Sequence, residues 1–341
     1  MFGHLIMEEK HMLKRLIVAG AISASLLGAT TAYADFPERT VENIFPWSAG
    51  TALSMSQVIA VAMGEELGVS MTVISTPGAA GTKAFQTAMN RPADGYTVID
   101  GYVAPLVLQP VLGNADWNYK DFKPLNSAVS NAFSIGSRVG EDRWGNFEEM
   151  MEWGKANPGQ LRYSSGSRNN LPHMVIAKVL QSFGVVAQNI PYKTDGDARK
   201  DLKSGVLDFA FVNVGAYMQD KEGFDILLVL SELPGAKASY DGATSIVDLS
   251  IDLGLSGLAP MGWTWWLVHP DTPDEETAIL RKAMAAAMQR EDVREAIGRV
   301  GFVPLDWDWQ QYEEIVGPVA GQLGAMGNAL AWEEQELKKL N

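Results

Sequence analysis

The stretch MTVISTPGAAGTKAFQTAMNRPADGYTVID, residues 71–100, decides the fold. Met71 to Ile74 is a short apolar run of strand character, and Pro77-Gly78-Ala79-Ala80-Gly81-Thr82 turns the chain tightly. Lys83 to Met89 supplies a helix, Pro92-Ala93-Asp94-Gly95 a second turn, and Tyr96 to Asp100 another strand. Strand, helix and strand in such close succession form the unit from which parallel sheets flanked by helices are built.

The same order extends outward. Upstream, Val41 to Phe45 reads as a strand and Pro46 to Leu53 as a loop of mostly small residues. Ser54-Met55-Ser56-Gln57 fits a capping box, so the next helix is expected to open at Ser54. Met55, Val58, Ile59, Ala62 and Met63 recur at helical spacing, and Gly68 is a natural stop. Downstream, a helix is expected over residues 146–155, a strand over Leu161 to Ser164, and a polar loop over Ser165-Gly166-Ser167-Arg168-Asn169-Asn170. Pro172 suits the first turn of a helix reaching Phe183. Gln188 to Tyr192 and Val206 to Val212 read as strands around a helix over Asp197 to Lys203. Thr264 to Val268 is a further strand, and the helical segment Asp274 to Arg290 is read as returning to the first unit.

These elements predict an α/β protein of two lobes, each a mostly parallel sheet flanked by helices, with a cleft between them. The chain of 341 residues, 47% hydrophobic, exceeds one ordinary α/β core. The expected division is a leader over 1–34, a first lobe over 35–138, a second over 139–258 and a return segment over 259–341, with a hinge near 135–140 and 258–263. Met1 to Ala34 has the marks of a cleavable signal peptide: basic Lys10, Lys14 and Arg15, an apolar run from Leu16 to Leu27, and Ala32-Tyr33-Ala34 before the expected cut at Asp35. The absence of cysteine removes disulfides, thiolate metal sites and a cysteine nucleophile. A formal charge of −14 argues against nucleic acid and anionic membrane as partners. Four histidines without a close pair give no reason to expect a metal, and no cofactor is expected.

Three loops share one layout, in which a strand ends, small or polar residues turn, and a helix starts. In parallel sheets such loops gather at the carboxyl edge, where ligands bind. Helix N-termini converging there present unpaired N–H groups and about half a positive charge each, an anion site that needs no lysine. Ala49, Gly50, Ala79, Ala80 and Gly166 allow close approach to the backbone, and Ser48, Thr51, Ser165, Ser167 and Asn169 stand beside them. Arg168 and Lys83 are candidates for a second anionic group, and Trp47 for covering an apolar ligand body. Each also has a bland reading, as turn residue, solvated charge or core. His173 beside Ser165 and Ser167 invites a serine-hydrolase reading, but no G-x-S-x-G elbow is present, so a structural or ligand-contacting histidine is expected.

At these loops the chain resembles the substrate-binding proteins of tripartite tricarboxylate transporters, the Bug family. The resemblance is carried by Pro46 to Gly50, Pro77 to Thr82, Pro92 to Thr97, Asp121 to Pro124, Pro158 to Leu161, Ser165 to His173, Pro191 to Lys193 and Gly205 to Phe211, in order along nearly the whole chain after the leader. It implies a periplasmic-binding-protein-like fold, a periplasmic location in a Gram-negative bacterium, two membrane subunits as transport partners, and no enzymatic activity. It further implies that a ligand carboxylate is gripped by the backbone of the first-lobe loops and of the second-lobe Ser-Gly loop. Lobe closure suits a monomer.

Two departures bear on the ligand. Where the family usually reads Gly-Gly-x-x-Asp, with Arg three residues on, this chain has Gly50-Thr51-Ala52-Leu53-Ser54 and then Gln57. Ser54 keeps a capping oxygen but no charge, which predicts a ligand without an ammonium group. Asn213 stands where relatives often carry Asp, mildly favouring a dicarboxylate, while Leu53 and Trp47 suit an aliphatic or aromatic body. A ligand sensor for a signalling partner is the alternative role on the same fold.

Overall fold

The computed structural model describes residues 36–130, 132–253, 255 and 262–340. The expected signal peptide, and residues 258–261 of the second expected crossing, lie outside the described residues.

Strand β1 (Val41–Phe45) buries Val41, Ile44 and Phe45 completely. It runs parallel to β2 (Met71–Ser75) and to β3 (Thr97–Tyr102), the arrangement that continuous apolar strands adopt when both faces are covered. Helices α1 (Thr51–Leu67) and α2 (Thr82–Met89) make the returns. β4 (Lys123–Ser130) belongs to the same sheet. The second sheet takes β5 (Phe133–Arg138), β6 (Leu161–Ser164), β7 (Ala187–Asn189), β8 (Phe209–Asn213) and β9 (Phe224–Val229), in the order β7-β6-β8-β5-β9. Its helices include α3 (Phe147–Ala156), α4 (Leu171–Phe183), α5 (Asp195–Lys203) and α6 (Val214–Gln219). β10 (Trp263–Val268) then returns to the first sheet, antiparallel between β3 and β4, and β11 (Val303–Pro304) closes the edge in the order β11-β4-β10-β3-β1-β2. Helices α7 (Asp274–Gln289), α8 (Glu291–Arg299), α9 (Tyr312–Met326) and α10 (Asn328–Leu340) complete the chain.

The course of the chain differs from the expected cut in two places. β5 pairs with β8 and β9 and is part of the second sheet, so the chain passes between the sheets after Ser130 and before Phe133. Phe133 and Ile135 are buried, and the Ser134 hydroxyl donates to the Val212 carbonyl at 3.0 Å. An apolar strand carries no local mark of which later strands will flank it. At the other end, α10 leaves the first lobe and packs on α4 and β7. Its Glu333 carboxylate is buried and accepts hydrogen bonds from Tyr163 (2.7 Å) and His173 (2.9 Å).

Helix α1 also starts one turn earlier than the capping box suggested. Gly50 is the N-cap, with no side-chain hydrogen bond, and the first helical bond runs from Ser54 N–H to the Gly50 carbonyl at 3.2 Å. Ser54 lies inside the first turn, its hydroxyl bonded back to the same carbonyl at 3.4 Å. Gly68, in left-handed backbone at φ 71°, ends the helix as expected.

Candidate functional site

Between the carboxyl edges of the two sheets lies a cavity of about 820 Å³. Its first-lobe wall is the start of α1 with the preceding loop, the loop before α2, and the end of β3; its second-lobe wall is the Ser165–Ser167 loop, the start of α4, and the segment running into α5.

The start of α1 decides the chemistry of the first wall. With Gly50 as an uncapped N-cap, no side chain among the described residues satisfies the N–H groups of Thr51, Ala52 and Leu53, which precede the first helical bond. The facing loop is sharply bent: Ala79 and Ala80 have φ of 46° and 50°, left-handed values that a residue with a Cβ adopts only under constraint. Gly81 suits the turn, with left-handed backbone at φ 92° and little room for a side chain, since a Cβ would stand 3.0 Å from Pro105 Cγ and 3.2 Å from Pro46 Cβ. Trp47 packs edge-to-face on Tyr102 with ring centroids 5.6 Å apart. The Tyr102 hydroxyl is buried without a hydrogen-bond partner among the described residues, and burial together with nearby Asp100 pushes its pKa well above the usual range.

The second wall is held from behind. Ser165 is buried, and its Oγ accepts a hydrogen bond from Asn189 Nδ2 at 2.8 Å. Asn170 caps α4 by accepting from His173 N–H at 2.8 Å, while its own Nδ2 donates to the Ser165 carbonyl at 2.8 Å. Asn213 caps α6 through Ala216 N–H at 2.8 Å. Asp195 opens α5 and faces the cavity, with Arg199 one turn on. The Asp195 side chain is reachable by solvent yet surrounded by protein, and that desolvation raises its carboxyl pKa, with Arg199 opposing.

Of the residues singled out from sequence, Trp47, Ser48, Ala49, Gly50, Thr51, Ser54, Ala79, Ala80, Ser165, Ser167 and Asn213 line this one cavity. Leu53, Lys83, Arg168, Asn169 and His173 do not. Arg168 turns away, donating to the Asn189 carbonyl at 3.4 Å. Asn169 sits in left-handed backbone at φ 58°, and its carbonyl accepts from Gln109 Nε2 of the first lobe at 2.6 Å. His173 is buried, with Nδ1 accepting from Asn169 N–H at 3.0 Å and Nε2 directed at Glu333. Both ring nitrogens are thus engaged, so neither is free to take a proton from Ser165 or Ser167 as a hydrolase would require.

Tyr102, Asn170, Lys193, Asp195 and Arg199 line the cavity without having been singled out as contacts. Tyr102 lies two residues beyond the end expected for its strand, at the carboxyl edge where ligands bind. Asp195 was hidden by starting its helix two residues late. Thr194 is the true N-cap, accepting from Asp197 N–H at 3.2 Å, and a Thr followed by acidic residues is a recognisable helix start.

This cleft geometry accompanies a match of residues 55–330 to the family described as the tripartite tricarboxylate transporter family receptor. The chain belongs to that family. Among curated relatives of this receptor, the UPF0065 protein in the gbd 5' region of Cupriavidus necator is 26% identical over 317 residues, covering 91% of this chain and 94% of the relative. Two solved structures show the same fold. One is a protein of Rhodopseudomonas palustris with adipate, at a TM-score of 0.74 and 19% identity, covering 86% of this chain and 98% of that one. The other is MatC from R. palustris with bound malate, at 0.70 and 18%, covering 88% and 100%. The family is one of solute-binding receptors rather than enzymes.

Proposed function

We propose that this receptor is exported to the periplasm, captures a small carboxylate in its cleft, and delivers it to two membrane subunits of a tripartite transporter. The finer reading of the cargo is a dicarboxylate or an aromatic carboxylate without an amino group. One observation carries the carboxylate: the uncapped start of α1 opens into a cavity between two lobes, so its free N–H groups and dipole await an anion. Small residues at Ala49, Gly50, Ala79 and Ala80 leave the backbone accessible to it. The ligands of the two structural neighbours, malate and adipate, are dicarboxylates and support the same reading. Among the described residues no helix is long and apolar enough to cross a membrane.

A thermal-shift screen against mono-, di- and tricarboxylates, aromatic acids, amino acids and neutral sugars tests this. A ligand at a hundred times its dissociation constant adds about 2.7 kcal/mol, which raises the melting point by several degrees. Shifts confined to carboxylates without an amino group are expected. Shifts with amino acids or sugars alone would refute the anion site.

A further inference from the structure

The second-lobe wall of the cleft brings together three charged side chains, Lys193, Asp195 and Arg199. Among the described residues, none of them has a direct hydrogen bond or ion pair through its side chain. Asp195 opens a helix, where an acidic residue ordinarily serves the helix end. That task is already filled: Thr194 Oγ1 accepts from Asp197 N–H at 3.2 Å and donates to Asp197 Oδ2 at 2.8 Å. Asp195 instead lies against the Ser-Gly loop, with Oδ1 3.4 Å from where a Cβ on Gly166 would stand.

A carboxylate in such a place is an acceptor in search of a donor. In the open cleft water serves it. When the lobes close over a ligand and expel the water beside it, a buried acceptor left without a donor is costly, and more so when charged. A site built around such a group rejects an analogue lacking the donor far more strongly than one lacking a methylene. Lys193 and Arg199 line the same wall and leave its net charge positive, which disfavours an ammonium group as the donor and admits a second carboxylate.

We propose that Asp195 is the selectivity residue of the cleft, accepting a hydrogen bond from a ligand hydroxyl, so that the preferred cargo is a hydroxylated carboxylate rather than its deoxy counterpart. The inference rests on the carboxylate-receptor reading above. In this arrangement the start of α1 holds one carboxylate, and Asp195 reads the hydroxyl from the opposite wall.

Calorimetric titration of the purified protein with matched pairs, malate against succinate and lactate against propionate, tests it. The wild type is expected to prefer the hydroxylated member of a pair at least tenfold. Asp195→Ala should bring the ratio below threefold, chiefly by weakening the hydroxylated acid, and Asp195→Asn, which keeps an acceptor oxygen, should retain part of the preference. A wild-type ratio near one, or a ratio unchanged in Asp195→Ala, overturns the assignment. Carboxylate binding without discrimination by the hydroxyl leaves the receptor reading standing and removes only this inference. No binding of any carboxylate brings down both.

Discussion

Asp100 shows how one buried side chain ties the binding edge to the rest of its lobe. It lies on β3 with no solvent exposure, and its Oδ2 accepts from the Ser56 hydroxyl of α1 at 2.7 Å, while Asn43 Nδ2 of β1 donates to that hydroxyl oxygen at 3.0 Å. Among the described residues its other oxygen, Oδ1, has no partner. Burial outweighs these hydrogen bonds and raises the carboxyl pKa from 3.8 to about 7. The folded protein therefore holds this proton more tightly than the unfolded chain does. The contribution to stability is complete below about pH 4 and declines as pH rises through 7, a total of roughly 4 kcal/mol. Asp100→Asn keeps the size but cannot ionise. Urea unfolding at pH 5 and pH 8 should show the wild type losing about 3 kcal/mol relative to the variant. An unchanged difference would mean that the carboxyl titrates normally.

At the scale of elements, α10 is the piece whose place sequence did not disclose. Glu333 reads as one more charge on an exposed helix, yet it is the common acceptor for Tyr163 and His173, more than 150 residues earlier, with separations of 170 and 160. Glu333→Leu would leave both donors buried and unpaired, at about 1–3 kcal/mol each, whereas Glu333→Gln keeps one acceptor oxygen and should lose roughly half as much. Chemical denaturation should show lower midpoints at unchanged slope, in that order. A midpoint unmoved by Leu would show that α10 is not pinned here. The contrast with β1, β2 and β3 is instructive. Their apolar runs and the Pro-Gly turns between them are local signals, and the loops of the first wall followed from them. The sheet to which β5 belongs, the start of α5 at Thr194 and the partner of Glu333 depend on residues distant in sequence or on one turn of helix phase. Arg168 and His173, offered among the ligand contacts, lie off the cavity lining for the same reason: nothing near them in sequence tells which way a loop side chain points.

Over the whole molecule, the lobes meet beside the cavity through glycines. A Cβ on Gly215 of α6 would stand 2.7 Å from Thr51 Oγ1 and 2.8 Å from the Val300 carbonyl, and one on Gly301 would stand 2.7 Å from Gly215 N. Gly215→Val should therefore hold the lobes apart. Small-angle scattering of the variant should show a larger radius of gyration that a bound carboxylate no longer reduces, with affinity at least tenfold weaker. Normal compaction would mean that the contact yields. The size of the cavity has its own consequence. At about 30 Å³ per molecule of liquid water, a space of about 820 Å³ holds more than twenty of them. A four- to six-carbon diacid itself displaces only a minority, so closing the lobes must expel many of the rest; loading the receptor is as much an exchange of water as a capture of solute, and its affinity is tied to the water activity of the compartment in which it works.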